Sequence, residues 1–172
     1  MQKLYSELIG LPVFDEYSSS PLTLIRDIFI DPENGKVVAF AVKNNRIIVP
    51  LDVERLGRGL FIKDQSHIVP TEDVLRAKEV AERKIKILGS RVITQNTKIY
   101  LGRVVDYEIE TRGMMLVSIH VAKTFLFFRF QEKIISYKSI IRIHKESIIV
   151  KDARIAAREK EKAAAPSSAF AA

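Results

Sequence analysis

Few side chains in this chain could do covalent chemistry. Asp27 and Asp106 are the most tempting pair, each a carboxylate bounded by apolar residues on a long strand-like run. A general acid and base would need both in one cleft, with their pKa values pushed apart. The competing reading is that each binds local backbone or an arginine and fixes its own surroundings. The two positions are equivalent in a repeat described below, and equivalent positions normally serve equivalent structure, so both read as structural. His67, His120 and His144 are scattered, and none has metal-ligand spacing to a carboxylate or another histidine. Gly57-Arg58-Gly59 lacks the lysine-hydroxyl pair of a phosphate loop and reads as a tight turn. No serine lies in a nucleophile-elbow context. There is no cysteine, which excludes disulfides, thiolate metal sites and cysteine nucleophiles. The sequence predicts no enzyme, no cofactor and no metal.

Binding chemistry is better represented. Phe125-Leu126-Phe127-Phe128-Arg129-Phe130 packs four phenylalanines into six residues. Such a run either packs against the rest of the protein or presents an aromatic patch to a protein partner or a membrane interface. Near it lie Arg129, Lys133, Lys138, Arg142 and Lys145, followed by Arg154 and Arg158. These read as a solvated face or, more sharply, as a contact for RNA phosphates or anionic lipid, whose affinity would fall with salt. Charge is distributed to match. Residues 1–70 hold eight basic and nine acidic side chains, whereas residues 87–152 hold eleven and six. The net charge of +7 therefore sits mainly in the second half, a hint of an acidic partner.

The elements that must position these residues form a repeat. Leu8-Ile9-Gly10-Leu11-Pro12-Val13 returns 79 residues later as Ile87-Leu88-Gly89-Ser90-Arg91-Val92, and at that offset Asp27 falls on Asp106. Within each copy, short apolar runs alternate with turn signals such as Asp31-Pro32-Glu33-Asn34-Gly35, the pattern of a small antiparallel barrel or sandwich. The copies part at Lys43-Asn44-Asn45, which becomes the longer segment Lys123–Glu132. The match then resumes at an offset of 87, Ile47-Ile48 on Ile134-Ile135. Between the copies, Thr71 to Lys84 reads as an amphipathic helix with Thr71 as its N-cap and Glu72 and Asp73 in its first turn. The expected organisation is a first unit at 1–70, a linker helix at 71–86, a second unit at 87–152 and an Ala/Lys/Glu-rich tail at 153–172. The tail reads as a frayed helix or flexible segment.

Ile-Gly-x-x-Val, a loop, Gly-Arg-Val-x-Asp, a hairpin, an Ile-Ile-Val-Pro strand and a final apolar strand together resemble the PRC barrel. The second copy carries Gly89, Val92, Gly102, Arg103, Val104, Asp106 and Ile109; the first keeps Gly10, Val13, Ile25 and Asp27 but has Thr23-Leu24 where Gly102-Arg103 stand. The resemblance covers most of residues 7–152. It implies a mainly β fold of two small antiparallel barrels in tandem joined by the helix. It also implies binding and scaffolding uses, such as membrane-associated assemblies and ribosome maturation, with no catalytic residue set.

The N-terminus has no apolar secretory region, and no window approaches the ~20 apolar residues of a membrane span. Apolar residues at 47% and charged residues at 28% suit a soluble globular chain, expected in the cytoplasm or at the inner face of the membrane. The expected function is a non-enzymatic adaptor that contacts a protein partner through the second unit. The alternatives are an RNA or ribosome assembly factor and a peripheral membrane component, with homo-oligomerisation left open.

Overall fold

Short runs of branched apolar residues, cut by turn residues, give a mainly β architecture. The computed structural model describes residues 1–125 and 128–152, with backbone alone at 124–125 and 128–131. The first half comprises β1 (Gln2–Leu4), α1 (Tyr5–Leu8), β2 (Pro12–Phe14), β3 (Thr23–Leu24), β4 (Asp27–Ile30), β5 (Val37–Ala41), β6 (Arg46–Ile48), β7 (Val53–Leu56), β8 (Leu60–Ile62) and β9 (Val69–Pro70). After α2 (Leu75–Arg83) come β10 (Arg91–Thr94), β11 (Tyr100–Glu110), β12 (Met115–Phe125), β13 (Phe128–Ser136), β14 (Ile140–Ile143) and β15 (Ser147–Val150).

Turn chemistry sets the hairpins. Asp31 opens the β4–β5 turn by accepting the Glu33 amide at 2.9 Å and the Asn34 side-chain amide at 2.9 Å. Gly35 takes φ +72°, and any Cβ there would meet the Tyr137 ring at 2.5 Å. Between β5 and β6, Asn44 and Asn45 are both left-handed, φ 60° and 54°, the geometry a two-residue hairpin demands.

Strand order in the first half runs β3-β2-β8-β7 and β4-β5-β6-β9; in the second it runs β13-β12-β11-β10-β15-β14. The ladders agree residue by residue. Asp27 pairs with Ala41 and Phe40 with Ile48, while Asp106 pairs with His120 and Ile119 with Ile135. Val13 lies beside Leu60 in a parallel pair, and Val92 beside Ile148 in another. No ladder closes either circuit among the described residues: β6 ends against β9, and β13 and β14 each have one strand neighbour.

The two sheet plans part at Gly102 and its counterpart Thr23. Gly102, at φ +133°, sits so close to Ala122 that a Cβ would collide with the Ala122 backbone, and β11 runs unbroken past β10 and β12. Thr23 holds the matching register position opposite Val13, as Gly102 does opposite Val92. The counterpart of Ala122 is Lys43, which already lies in the β5–β6 turn; β3 stops at Leu24, β4 starts afresh at Asp27, and one sheet becomes two. The Thr23 hydroxyl is buried and has no hydrogen-bond partner among the described residues.

The halves share one core. A single cluster of buried apolar side chains runs from Leu8 and Phe40 to Val104, Ile119 and Val150. Backbone bonds cross the seam as well: β1 adds to β11, Val37 donates to Met114 at 2.8 Å, and Leu116 donates to Gly35 at 2.8 Å. Helix α2 docks outside the β4–β5–β6 sheet, with Ala77 buried against Ala39 and Ile47. Its start differs from the sequence expectation. Thr71 does not cap it; the Thr71 amide and hydroxyl both bond the Asn45 carbonyl, at 3.0 and 2.9 Å, holding 71–73 in a 3₁₀ turn before the helix begins at Leu75.

Candidate functional site

The repeat-equivalent residues converge on α1, which lies across the seam. The Tyr5 hydroxyl donates to Asp27 at 3.2 Å, and Ser6 donates to Asp106 through its amide at 3.2 Å and its hydroxyl at 2.5 Å. Each aspartate also caps the next amide on its own strand, Ile28 or Tyr107, at 2.8 Å. The Tyr5 and Tyr107 rings pack at a tilt of 36°, with centroids 4.8 Å apart. Burial, followed by the negative charge and hydrogen bond of Asp27, pushes the Tyr5 hydroxyl from 10.0 up to about 12. Tyr107 is raised as well, chiefly by burial. Both carboxylates are thus taken up by hydroxyl and amide donors. Gly10 and Gly89, at φ +86° and +81°, turn the chain into β2 and β10 and donate to Ile25 and Val104 at 2.9 and 2.8 Å.

This geometry has an alkaline consequence. Because the folded pKa of Tyr5 is raised, its contribution to stability is complete below pH 10 and is lost as pH climbs towards 12. Tyr5→Phe should cost about 1 kcal/mol at neutral pH. It should also make the decline above pH 10 shallower, read by denaturant melts across that range. An unchanged alkaline profile would dissociate Tyr5 from Asp27.

The aromatic segment lies on the hairpin of β12 and β13. The ladder between β11 and β12 ends at Arg103–Ala122, but β12 and β13 remain paired through Lys123–Phe130, Thr124–Arg129 and Phe125–Phe128. The inserted residues therefore build a two-stranded arm beyond the third strand. Phe127 and the side chains of Phe125, Phe128, Arg129 and Phe130 lie outside the described residues. At the base of the arm Ile134 is 59% exposed, whereas Ile47, at the same register position on β6, is fully buried beneath α2 and β9.

The basic candidates divide. Arg142, on β14, and Lys145, in the turn to β15, are exposed and line one cleft. Lys133, on β13, and Lys138, in the 3₁₀ turn at Tyr137–Ser139, do not line it. That cleft, of about 470 Å³, lies between Pro32-Glu33 of the β4–β5 turn and Ile141–Lys145, with Arg83 and Ile85 also on its wall. A second cleft of about 460 Å³ lies between Thr111-Arg112 of the β11–β12 turn and Val53, Glu54 and Leu56 of β7. His67 faces Asp52 at 3.0 Å and Asp64 at 3.8 Å, an arrangement that ties the 3₁₀ turn at Gln65–His67 to the turn before β7. Among the described residues no cluster of three or more His, Asp or Glu could hold a metal ion, and no helix is long and apolar enough to cross a membrane.

Sequence reasoning missed α1 and its two hydroxyls, and it missed the network of Asp31, Glu33, Arg76 and Arg83. Arg76 bonds Asp31 at 2.7 Å and Glu79 at 2.8 Å, and Arg83 bonds Glu33 at 2.7 Å. The helical spacing of Arg76, Glu79 and Arg83 was the available signal for that network.

Residues 1–74 match the PRC-barrel domain. No curated protein matches the chain.

Proposed function

We propose that the chain is a cytoplasmic, non-enzymatic adaptor in which residues 87–152 are a second PRC-type unit whose hairpin β12–β13 engages a protein partner. The observation that carries this reading is the contrast between Ile47 and Ile134. In the first half, β9 closes the outer edge of β6 and α2 covers the face where Ile47 is buried. In the second, β13 has no strand on its outer edge among the described residues, and Ile134 is open to solvent. An apolar position left uncovered beside a strand edge, below an arm rich in phenylalanine, supports recognition of another protein. Agreement of the ladders at offsets of 79 and 87 supports the two-unit reading.

The test exchanges one hairpin for the other. Residues 123–132 are replaced by the Asn-Asn turn that joins β5 to β6. The shortened protein should melt within a few degrees of the parent and lose its partner in affinity purification from the native cell. Retention of every partner would sink the proposal. Should the exchange unfold the protein, Ile134→Ser, which alters only an exposed position, gives the same reading.

A further inference from the structure

We propose that the cleft between Pro32-Glu33 and Ile141–Lys145 is a docking groove for an acidic, partly apolar peptide segment of a protein partner. This rests on reading the chain as a binding module and adds a second contact surface apart from the arm.

The two clefts at the seam are built alike. Each has a hairpin turn from one half as one wall and the strand after a 3₁₀ turn from the other half as the opposite wall. Pro32-Glu33 and Thr111-Arg112 are 79 residues apart; Glu54 and Leu56 precede Ile141 and Ile143 by 87. The fold therefore produces the two facing walls twice; Met1 adds to the first cleft, and Arg83 and Ile85 add to the second. The first holds Arg112 and Glu54, opposite charges that offset one another, and Met1, whose terminal amine is held by Glu110 at 3.1 Å. In the second, Ile141 stands where Glu54 stood, and Arg83, Arg142 and Lys145 line the cleft with His144 and with Glu33 as the one acid of the lining. Glu33 is itself held by Arg83 at 2.7 Å and Arg76 at 3.3 Å. Arg142 and Lys145 have no ion-pair partner among the described residues. The excess positive charge belongs to this cleft and is not imposed by the architecture.

Arg142 illustrates how the charge is made available. Its first-half equivalent, Arg55, sits 3.9 Å above the Phe61 ring. Opposite Arg142, at the same ladder position, is Ile149, which offers no ring to hold a guanidinium. Arg142 lines the cleft instead.

The occupant follows from the lining. Cations flank Ile85 and Ile141, the latter 39% exposed. A peptide with carboxylates on either side of a leucine-like side chain meets both kinds of surface. Single-stranded RNA would want a run of aromatic faces for successive bases, and the lining offers one ring, the His144 imidazole, with no Phe, Tyr or Trp.

The probe is a short acetylated peptide, Asp-Glu-Leu-Asp-Glu-Leu, titrated into the full-length ¹⁵N-labelled protein with amide shifts followed by NMR. Shifts should appear at Ile85 and Ile141–Lys145 and be absent at Val53–Leu56 and Arg112, the equivalent cleft in the same molecule. Affinity should fall with added salt, and Arg142→Glu with Lys145→Glu should weaken it roughly tenfold without altering the melting temperature, since both side chains are exposed. Shifts in both clefts, in neither, or undiminished by the charge reversal would overturn the proposal. Tighter binding of a uridine oligonucleotide at these residues would overturn it in favour of RNA. Because the arm is intact in the reversed variant and the groove is intact in the hairpin exchange, either reading can fail alone.

Discussion

Gly102→Ala should lower the stability of the whole protein by about 3 kcal/mol, a fall in melting temperature of about 10 °C for a chain of this size. Two costs add. The backbone at Gly102 has φ +133°, a conformation L side chains rarely adopt. The new methyl would also be driven into the carbonyl carbon and oxygen of Ala122, with the Lys123 amide only 3.0 Å away. These are backbone atoms in a ladder, so they cannot swing aside as a flexible side chain would. Relief requires β11 to move off β12, and β11 is the strand on which β1, α1 and β10 all depend. The displaced residues are also those from which the β12–β13 arm departs. Amide shifts should therefore spread along β12 into β13 while β4 to β6 stay in place. A loss under about 0.5 kcal/mol would show that this approach is not what keeps the second sheet continuous.

The contrast between Gly102 and Thr23 also shows what was legible in the sequence. The offsets of 79 and 87 could be read from residue identity alone, and the strand ladders fall on the same offsets. The hairpin turns were legible because Asp31, Gly35, Asn44 and Asn45 carry their own local chemistry. Thr23-Leu24 in place of Gly102-Arg103 was visible as a departure, but its consequence, one sheet against two, lies in contacts with a strand many residues away.

The N-terminal lead was illegible for a related reason. Met1 to Glu7 has no periodicity, and its meaning comes largely from partners about a hundred residues on: Glu110 beside the N-terminal amine, Asp106 beside Ser6. Two units reading separately in the sequence share a core because this lead, the two hairpin turns and Tyr137 all cross between them. Under the adaptor role proposed above, that fusion would fix the geometry of anything bound to the arm relative to anything bound in the seam cleft.

Asp31→Ala should destabilise the fold by about 2–3 kcal/mol, and the size of the effect should depend on pH. Asp31 is 3% exposed and does three jobs at once: it accepts the Glu33 amide, accepts the Asn34 side chain, and takes two bonds from Arg76, at 3.1 and 2.7 Å. Truncation opens the turn that abuts Met114 and Tyr137 and unties α2 from the sheet. Arg76 keeps Glu33 and Glu79 and is itself about a third exposed, so the loss stays below that of a fully buried pair. Burial alone would push the Asp31 carboxyl up. The Arg76 bond and the Glu33 amide outweigh it and hold the group below its ordinary 3.8. A lowered folded pKa means the contribution is complete above about pH 4 and is lost as pH falls through the folded value. The gap between parent and Asp31→Ala should therefore be constant from neutral pH to about pH 5 and shrink below pH 4, measured by urea melts at each pH. Asp31→Asn separates the parts, since it preserves the turn acceptor and removes the charge facing Arg76. It should recover about half of the loss and show a flatter acid profile. A full loss in the asparagine variant would put the whole effect on the ion pair, and no loss would put it on the turn.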